Sequence, residues 1–115
     1  MDTTNNRKYL TVVKGASYKI PKKRITSSGL VETDEYQHIE FVKGDIDGNK
    51  FRQDGIITEG LLNMLIGHLS HLNKHPELNN IHTSNAIHKL QEALFWIEER
   101  KRDREDRGVM GTYKP

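Results

Sequence analysis

The hydrophobic period of the chain changes once, near residue 55. Before that point apolar and polar positions alternate. Lys8-Tyr9-Leu10-Thr11-Val12-Val13 is aromatic and β-branched. Ser17-Tyr18-Lys19-Ile20 alternates up to Pro21, which is expected to stop the strand. Residues 26–35 are polar, contain Gly29 and read as a loop. From Tyr36 to Val42 the alternation is clear, with Tyr36, His38 and Glu40 on one face and Gln37, Ile39 and Phe41 on the other. Asp47-Gly48 then marks a hairpin turn into Asn49-Lys50-Phe51-Arg52. Residues 1–55 thus read as a small antiparallel β-layer.

Beyond it the period becomes helical. Thr58 is a candidate N-cap, and Leu61, Leu62, Leu65, Ile66, Leu69 and Leu72 form one stripe. Asn73 to His82, with Pro76 and two adjacent asparagines, is a connection. Thr83 or Ser84 can cap a second helix whose apolar face is Ala86, Ile87, Leu90, Ala93, Leu94 and Ile97. The two stripes are expected to pack as an antiparallel hairpin. The second helix should run on to Arg107 and overhang its shorter partner. The expected fold is α+β, one unit made of a β-layer (1–55) and a helical hairpin (56–115) with a charged tail.

Composition narrows the class. Only 34% of the 115 residues are hydrophobic, so a lone copy has a thin core and oligomerisation is a natural source of stability. The absence of cysteine excludes disulfides and thiolate metal sites. The opening MDTTNNRKYL has no signal-peptide run, and no segment is long enough to span a bilayer, so a cytoplasmic protein is expected. The formal net charge of +2 is unevenly spread: residues 1–24 hold seven bases and one acid, residues 32–54 seven acids and three bases. A basic arm of this kind can dock on phosphate, or can simply keep edge strands soluble.

The overhang, Glu98 to Arg107, is ten charged residues in a row, five of each sign. Most fit a solvated helix, with Glu98–Arg102, Arg102–Asp106 and Asp103–Arg107 as favourable pairs. Arg104 departs from that scheme, because Arg100, Lys101, Arg107 and Gly108 occupy its helical neighbour positions. Arg100, Arg104 and Arg107 share a stripe that Trp96 continues. Guanidiniums beside an indole can fork onto phosphates and stack on a base or ribose. The competing reading is an interface at which another subunit supplies carboxylates.

Other constellations carry less. His68, His71 and His75 could face one metal, but no carboxylate or cysteine completes a set, and a surface or interface role is expected. Asp45-Ile46-Asp47-Gly48-Asn49 suggests a calcium loop, yet the position needing a bidentate acid is Ile56. No glycine-rich phosphate loop, nucleophile–base pair or cofactor motif is present. Neither a cofactor nor a metal is therefore expected.

Two stretches have a family likeness. Asn85-Ala86, then Lys89 to Trp96, lead into Asp103-Arg104-x-x-Arg107-Gly108-Val109-x-Gly111-Thr112-Tyr113, and Asp54 to Leu62 precedes them. Together these resemble the helical hairpin of phage anti-defence sponge proteins, the Thoeris anti-defence family and the related anti-CBASS family. The resemblance covers residues 54–113, and the first half is similar to the β-layer of the Thoeris type. It implies a non-enzymatic homo-oligomer, a hexamer, that sequesters cyclic ADP-ribose isomers and, in some members, cyclic oligonucleotides. It also implies pockets between protomers, lined by tail-helix arginines, a helical asparagine and β-layer arginines. By position these are Arg100, Arg104, Asn85, Arg24 and Arg52. Where many relatives carry an aromatic residue, this chain has Asn73-Lys74-His75, and His75 is the substitute. The expected partners are a cyclic nucleotide and further copies of the chain, with no membrane. The rival readings are a nucleic-acid-binding module using the basic N-terminal arm, and a structural hairpin whose tail serves assembly alone.

Overall fold

A computed structural model describes residues 8–44 and 52–108. Three strands, β1 (Leu10–Val13), β2 (Ser17–Thr26) and β3 (Gly29–Glu40), precede two helices, α1 (Thr58–Asn73) and α2 (Ile81–Asp106). The fold is α+β. The described residues fall into two units, 8–44 with 52–56 and 57–108.

The first unit is an antiparallel sheet in the order β1-β2-β3. Both long strands exceed the expectation. Pro21 does not end β2: among the described residues β1 pairs only as far as Lys19, so no described ladder bond on that side needs an N–H from Pro21. The register also shifts between Pro21 and Lys23, and there the Lys22 carbonyl accepts from Thr33 Oγ1 at 3.0 Å. The polar stretch 26–35 is likewise strand apart from Ser27 and Ser28. Thr26 faces Gly29 across that turn, and Gly29 has φ +105, a conformation glycine adopts at little steric cost. Polar cross-strand pairs replace apolar ones in this ribbon: Lys23 with Glu32, and Arg24 with Glu35 at 3.9 Å. Tyr36, His38 and Glu40 face Pro21, Lys19 and Ser17 across the β2–β3 register, as the alternation implies. The expected hairpin at Asp47-Gly48 lies outside the described residues, as do Asn49 to Phe51. The backbones of Lys43 and Gln53 pair antiparallel on either side of it.

What holds this unit is polar and aromatic. Ala16, 0% exposed, is the one fully buried apolar residue among those described. Gln53 Nε2 donates to the carbonyls of Ala16 (3.2 Å) and Phe41 (3.0 Å), while Ser17 Oγ donates to Gln53 Oε1 (2.9 Å). Gly55 packs against the backbone of Glu40 and Phe41 with no room for a Cβ. Tyr9, Tyr18 and Phe41 form an edge-to-face row with centroids 5.7 and 5.9 Å apart.

In the second unit the seven-residue connection makes α1 and α2 antiparallel neighbours. The α1 stripe from Leu61 to Leu72 is half-buried throughout. On α2, Ile87, Leu90, Leu94 and Ile97 are half-buried, whereas Ala86 and Ala93 are exposed, so the seam is narrower than expected. Both caps differ from the sequence reading. Thr58 is the first helical residue of α1, and Ile57 occupies the cap without a side-chain bond. For α2 the cap is Asn80, whose Oδ1 accepts from Thr83 N at 2.9 Å. Asn73 ties the turn together, donating to Ser84 Oγ (3.1 Å) and accepting from Asn80 N (3.2 Å). With 26 residues against 16, α2 is about 15 Å longer than α1 at 1.5 Å per residue.

Candidate functional site

The residues singled out from the sequence fall at three places. Arg100 and Arg104 lie on the α2 overhang, one turn apart or about 6 Å along the axis. Asn85 is exposed near the start of α2, and His75 is exposed in the connection beside it. Arg24 and Arg52 belong to the β unit.

On the overhang the two arginines are not equivalent. Arg100 is exposed, whereas Arg104 is 8% exposed and is the one buried residue of either helix among those described. By angle it lies on the seam side of α2. At about 100° per residue, Arg104 sits roughly 20° from Ile97 and 40° from Arg100. It therefore continues the 3-4 spacing of the seam, Ile87, Leu90, Leu94, Ile97, Lys101, and forms a border between that seam and the exposed Arg100 stripe. Arg104 also takes part in interactions of its own, as charge burial requires. The expectation of an arginine with no acid in helical reach describes its sequence neighbours and not its folded surroundings.

The remaining charges pair locally. Arg107 meets Asp103, Nη2 to Oδ2, at 3.0 Å, as expected. Arg102 pairs with Glu99 rather than with Glu98 or Asp106. Trp96 is 63% exposed and Phe95 52%, and their rings meet edge-to-face at 5.1 Å. This end of the hairpin thus carries an exposed Arg100, with a buried arginine one turn after it and an exposed indole one turn before it. Such a set can grip phosphate and stack on a ring.

The other candidates have partners as well. Arg24 holds Glu35 at 3.9 Å on the exposed ribbon, so an anion there competes with a carboxylate. Arg52 precedes Gln53, whose bonds fix this segment, and has an interaction of its own. His75 meets His71 edge-to-face at 5.4 Å, and His68 is exposed. Among the described residues no three such side chains are grouped to hold a metal, and no helix is long and apolar enough to cross a membrane. The sequence reading missed Gln53, which no local motif marks, and the Asn73–Asn80–Ser84 network, which an asparagine three residues before Thr83 does signal.

Asn85 and Arg100 are fifteen residues apart on one helix, about 22 Å, and Asn85 and Arg104 about 28 Å. No small ligand bridges these distances within one copy.

No family model matches the chain. The protein Thoeris anti-defense 1 of Bacillus phage SBSphiJ7 is 39% identical over 61 residues, which are 53% of this chain and 42% of that protein. The chain therefore spans less than half the length of the relative it matches. Over those residues the chain is similar to a Thoeris anti-defence protein.

Proposed function

We propose that this chain is a phage protein that inhibits Thoeris defence in the host cytoplasm by sequestering a cyclic nucleotide signal, without catalysis. The ligand class is cyclic ADP-ribose isomers, with cyclic oligonucleotides as further cargo. The relative's name supports the defence system. The observation that carries the binding reading is the overhang, where Arg100 and the buried Arg104 stand one turn apart beside Trp96. If Asn85 shares the pocket, the 22 Å separation requires it to come from a second copy whose α2 runs the opposite way. A homo-oligomer, a hexamer on the family resemblance, is then part of the binding site.

The rival reading, a nucleic-acid module built on the basic arm, loses support in the β unit. Lys23 and Arg24 already face Glu32 and Glu35, and Lys19 stands 4.5 Å over the Tyr36 ring. Calorimetric titration with cyclic ADP-ribose isomers and cyclic dinucleotides, repeated at rising salt, separates the two. Tight binding of a cyclic nucleotide with a shallow salt slope supports sequestration. Tight binding of oligonucleotides with a steep slope, and none of cyclic nucleotides, overturns it.

A further inference from the structure

Five of the six histidines of the chain, His68, His71, His75, His82 and His88, fall between residues 68 and 88, around the closed end of the helical hairpin, and all five are exposed. The fold brings two of them together. His71 stands in the last turn of α1. His75 follows in the connection, where its backbone N–H donates to the Leu72 carbonyl at 3.1 Å and carries the chain round one further turn. The two imidazoles lie 5.4 Å apart between ring centres, with their planes at 84°. Among the described residues neither ring is held by a hydrogen bond or an ion pair.

That spacing can be set against what one shared ion needs. Imidazole suits zinc and its neighbours in the first transition row. With a zinc–nitrogen bond of about 2.0–2.1 Å, the ion lies about 3.2 Å from each ring centre. Two rings at the tetrahedral angle then have centres about 5.2 Å apart, and two rings at a right angle about 4.5 Å. The observed 5.4 Å matches the tetrahedral pair, and a small rotation of two exposed side chains closes the difference. The helix helps as well, because the last carbonyls of α1 form the negative end of its dipole and attract a cation. Glu77, two residues after His75, adds a negative charge to the connection, whereas the exposed Lys74 opposes it from the end of a flexible stem.

We propose that His71 and His75 form a two-histidine chelate for a divalent transition-metal ion of the zinc class, which ties the last turn of α1 to the connection. Among the described residues no third histidine, aspartate or glutamate joins them, so water completes the coordination. Half the binding free energy of a four-ligand structural site corresponds to a Kd between about 1 μM and about 0.2 mM.

The intact chain is titrated calorimetrically with zinc chloride, and its thermal unfolding is followed at rising zinc by circular dichroism. The expected result is about one ion per chain and a Tm that rises with zinc, as for any ligand of the folded state alone. His71→Gln and His75→Gln should each weaken zinc binding about 100-fold, the share of one ligand in such a site, and remove the rise in Tm. His68→Gln and His88→Gln should leave both unchanged. All four positions are exposed, so the variants keep the fold. No zinc uptake, uptake that survives either pair variant, or a Tm indifferent to zinc would each overturn the proposal. An equal fall in all four variants would do so too, since it would mean a diffuse affinity of surface histidines.

Discussion

Gln53→Ala tests whether one side chain holds the β unit together. Gln53 donates to the Ala16 and Phe41 carbonyls and accepts from Ser17 Oγ, and Ser17 is 7% exposed. Each bond contributes about 1 kcal/mol net, and a buried donor left without a partner costs about 1–3 kcal/mol. The loss is tempered because the Ala16 carbonyl still accepts from Phe41 N at 2.7 Å, and because Gln53 is only half-buried. The expected destabilisation is about 2–3 kcal/mol, or roughly 10–20 °C in Tm for a domain of this size. Denaturant and thermal unfolding, followed by circular dichroism at one fixed protein concentration, read it out. Gln53→Glu sharpens the test. It keeps the acceptor for Ser17 but turns an anionic oxygen toward two carbonyls, so at neutral pH it should cost at least as much as alanine. An alanine variant within about 0.5 kcal/mol of wild type, or a stable glutamate variant, would refute the reasoning.

Gly55→Ala would place a Cβ on the Glu40 carbonyl and 2.6 Å from the Phe41 carbonyl carbon, both backbone, so a loss of about 2–4 kcal/mol is expected in the same unfolding assay. Asn80→Ala removes the α2 cap and should cost about 1 kcal/mol, with faster amide exchange at Thr83. Arg100→Ala, at an exposed position, should keep stability within about 0.5 kcal/mol yet weaken ligand binding by about 2–3 kcal/mol in calorimetry. Arg104→Ala, at a buried position, should cost about 1–3 kcal/mol of stability as well as affinity. Arg102→Ala removes an exposed pair with Glu99 and should change affinity by no more than about 1 kcal/mol, and equal losses at all three arginines would point to a diffuse field rather than a site.

The helices were legible because their core is a periodic apolar stripe, and Leu61 to Leu72 and Ile87 to Ile97 express it directly. The end of α2 was legible from the charged run, which a helix accommodates by local pairing, as Asp103 and Arg107 do. The β2–β3 ribbon was not, because its two strands pair through residues that are mostly polar and exposed, so apolar alternation does not mark them. Pro21 and the polar stretch 26–35 therefore suggested breaks where the strands continue. Arg104 was found for its charge surroundings, and it also sits at a heptad-like spacing that continues Ile97 past the apolar stripe. That spacing is present in the sequence. Reading it required treating an arginine as a seam position.

The most direct test of sequestration is the fate of the ligand. The protein is equilibrated with an excess of a cyclic ADP-ribose isomer, freed of unbound nucleotide, denatured, and the released nucleotide is chromatographed against a standard. A sequestering protein needs nanomolar binding, about −12 kcal/mol, to hold its cargo through that separation. The expected result is intact cyclic ligand recovered in fixed proportion to binding sites, and unchanged after prolonged incubation. Accumulation of a linear or hydrolysed product beyond one per site, or recovery of no nucleotide, would contradict it.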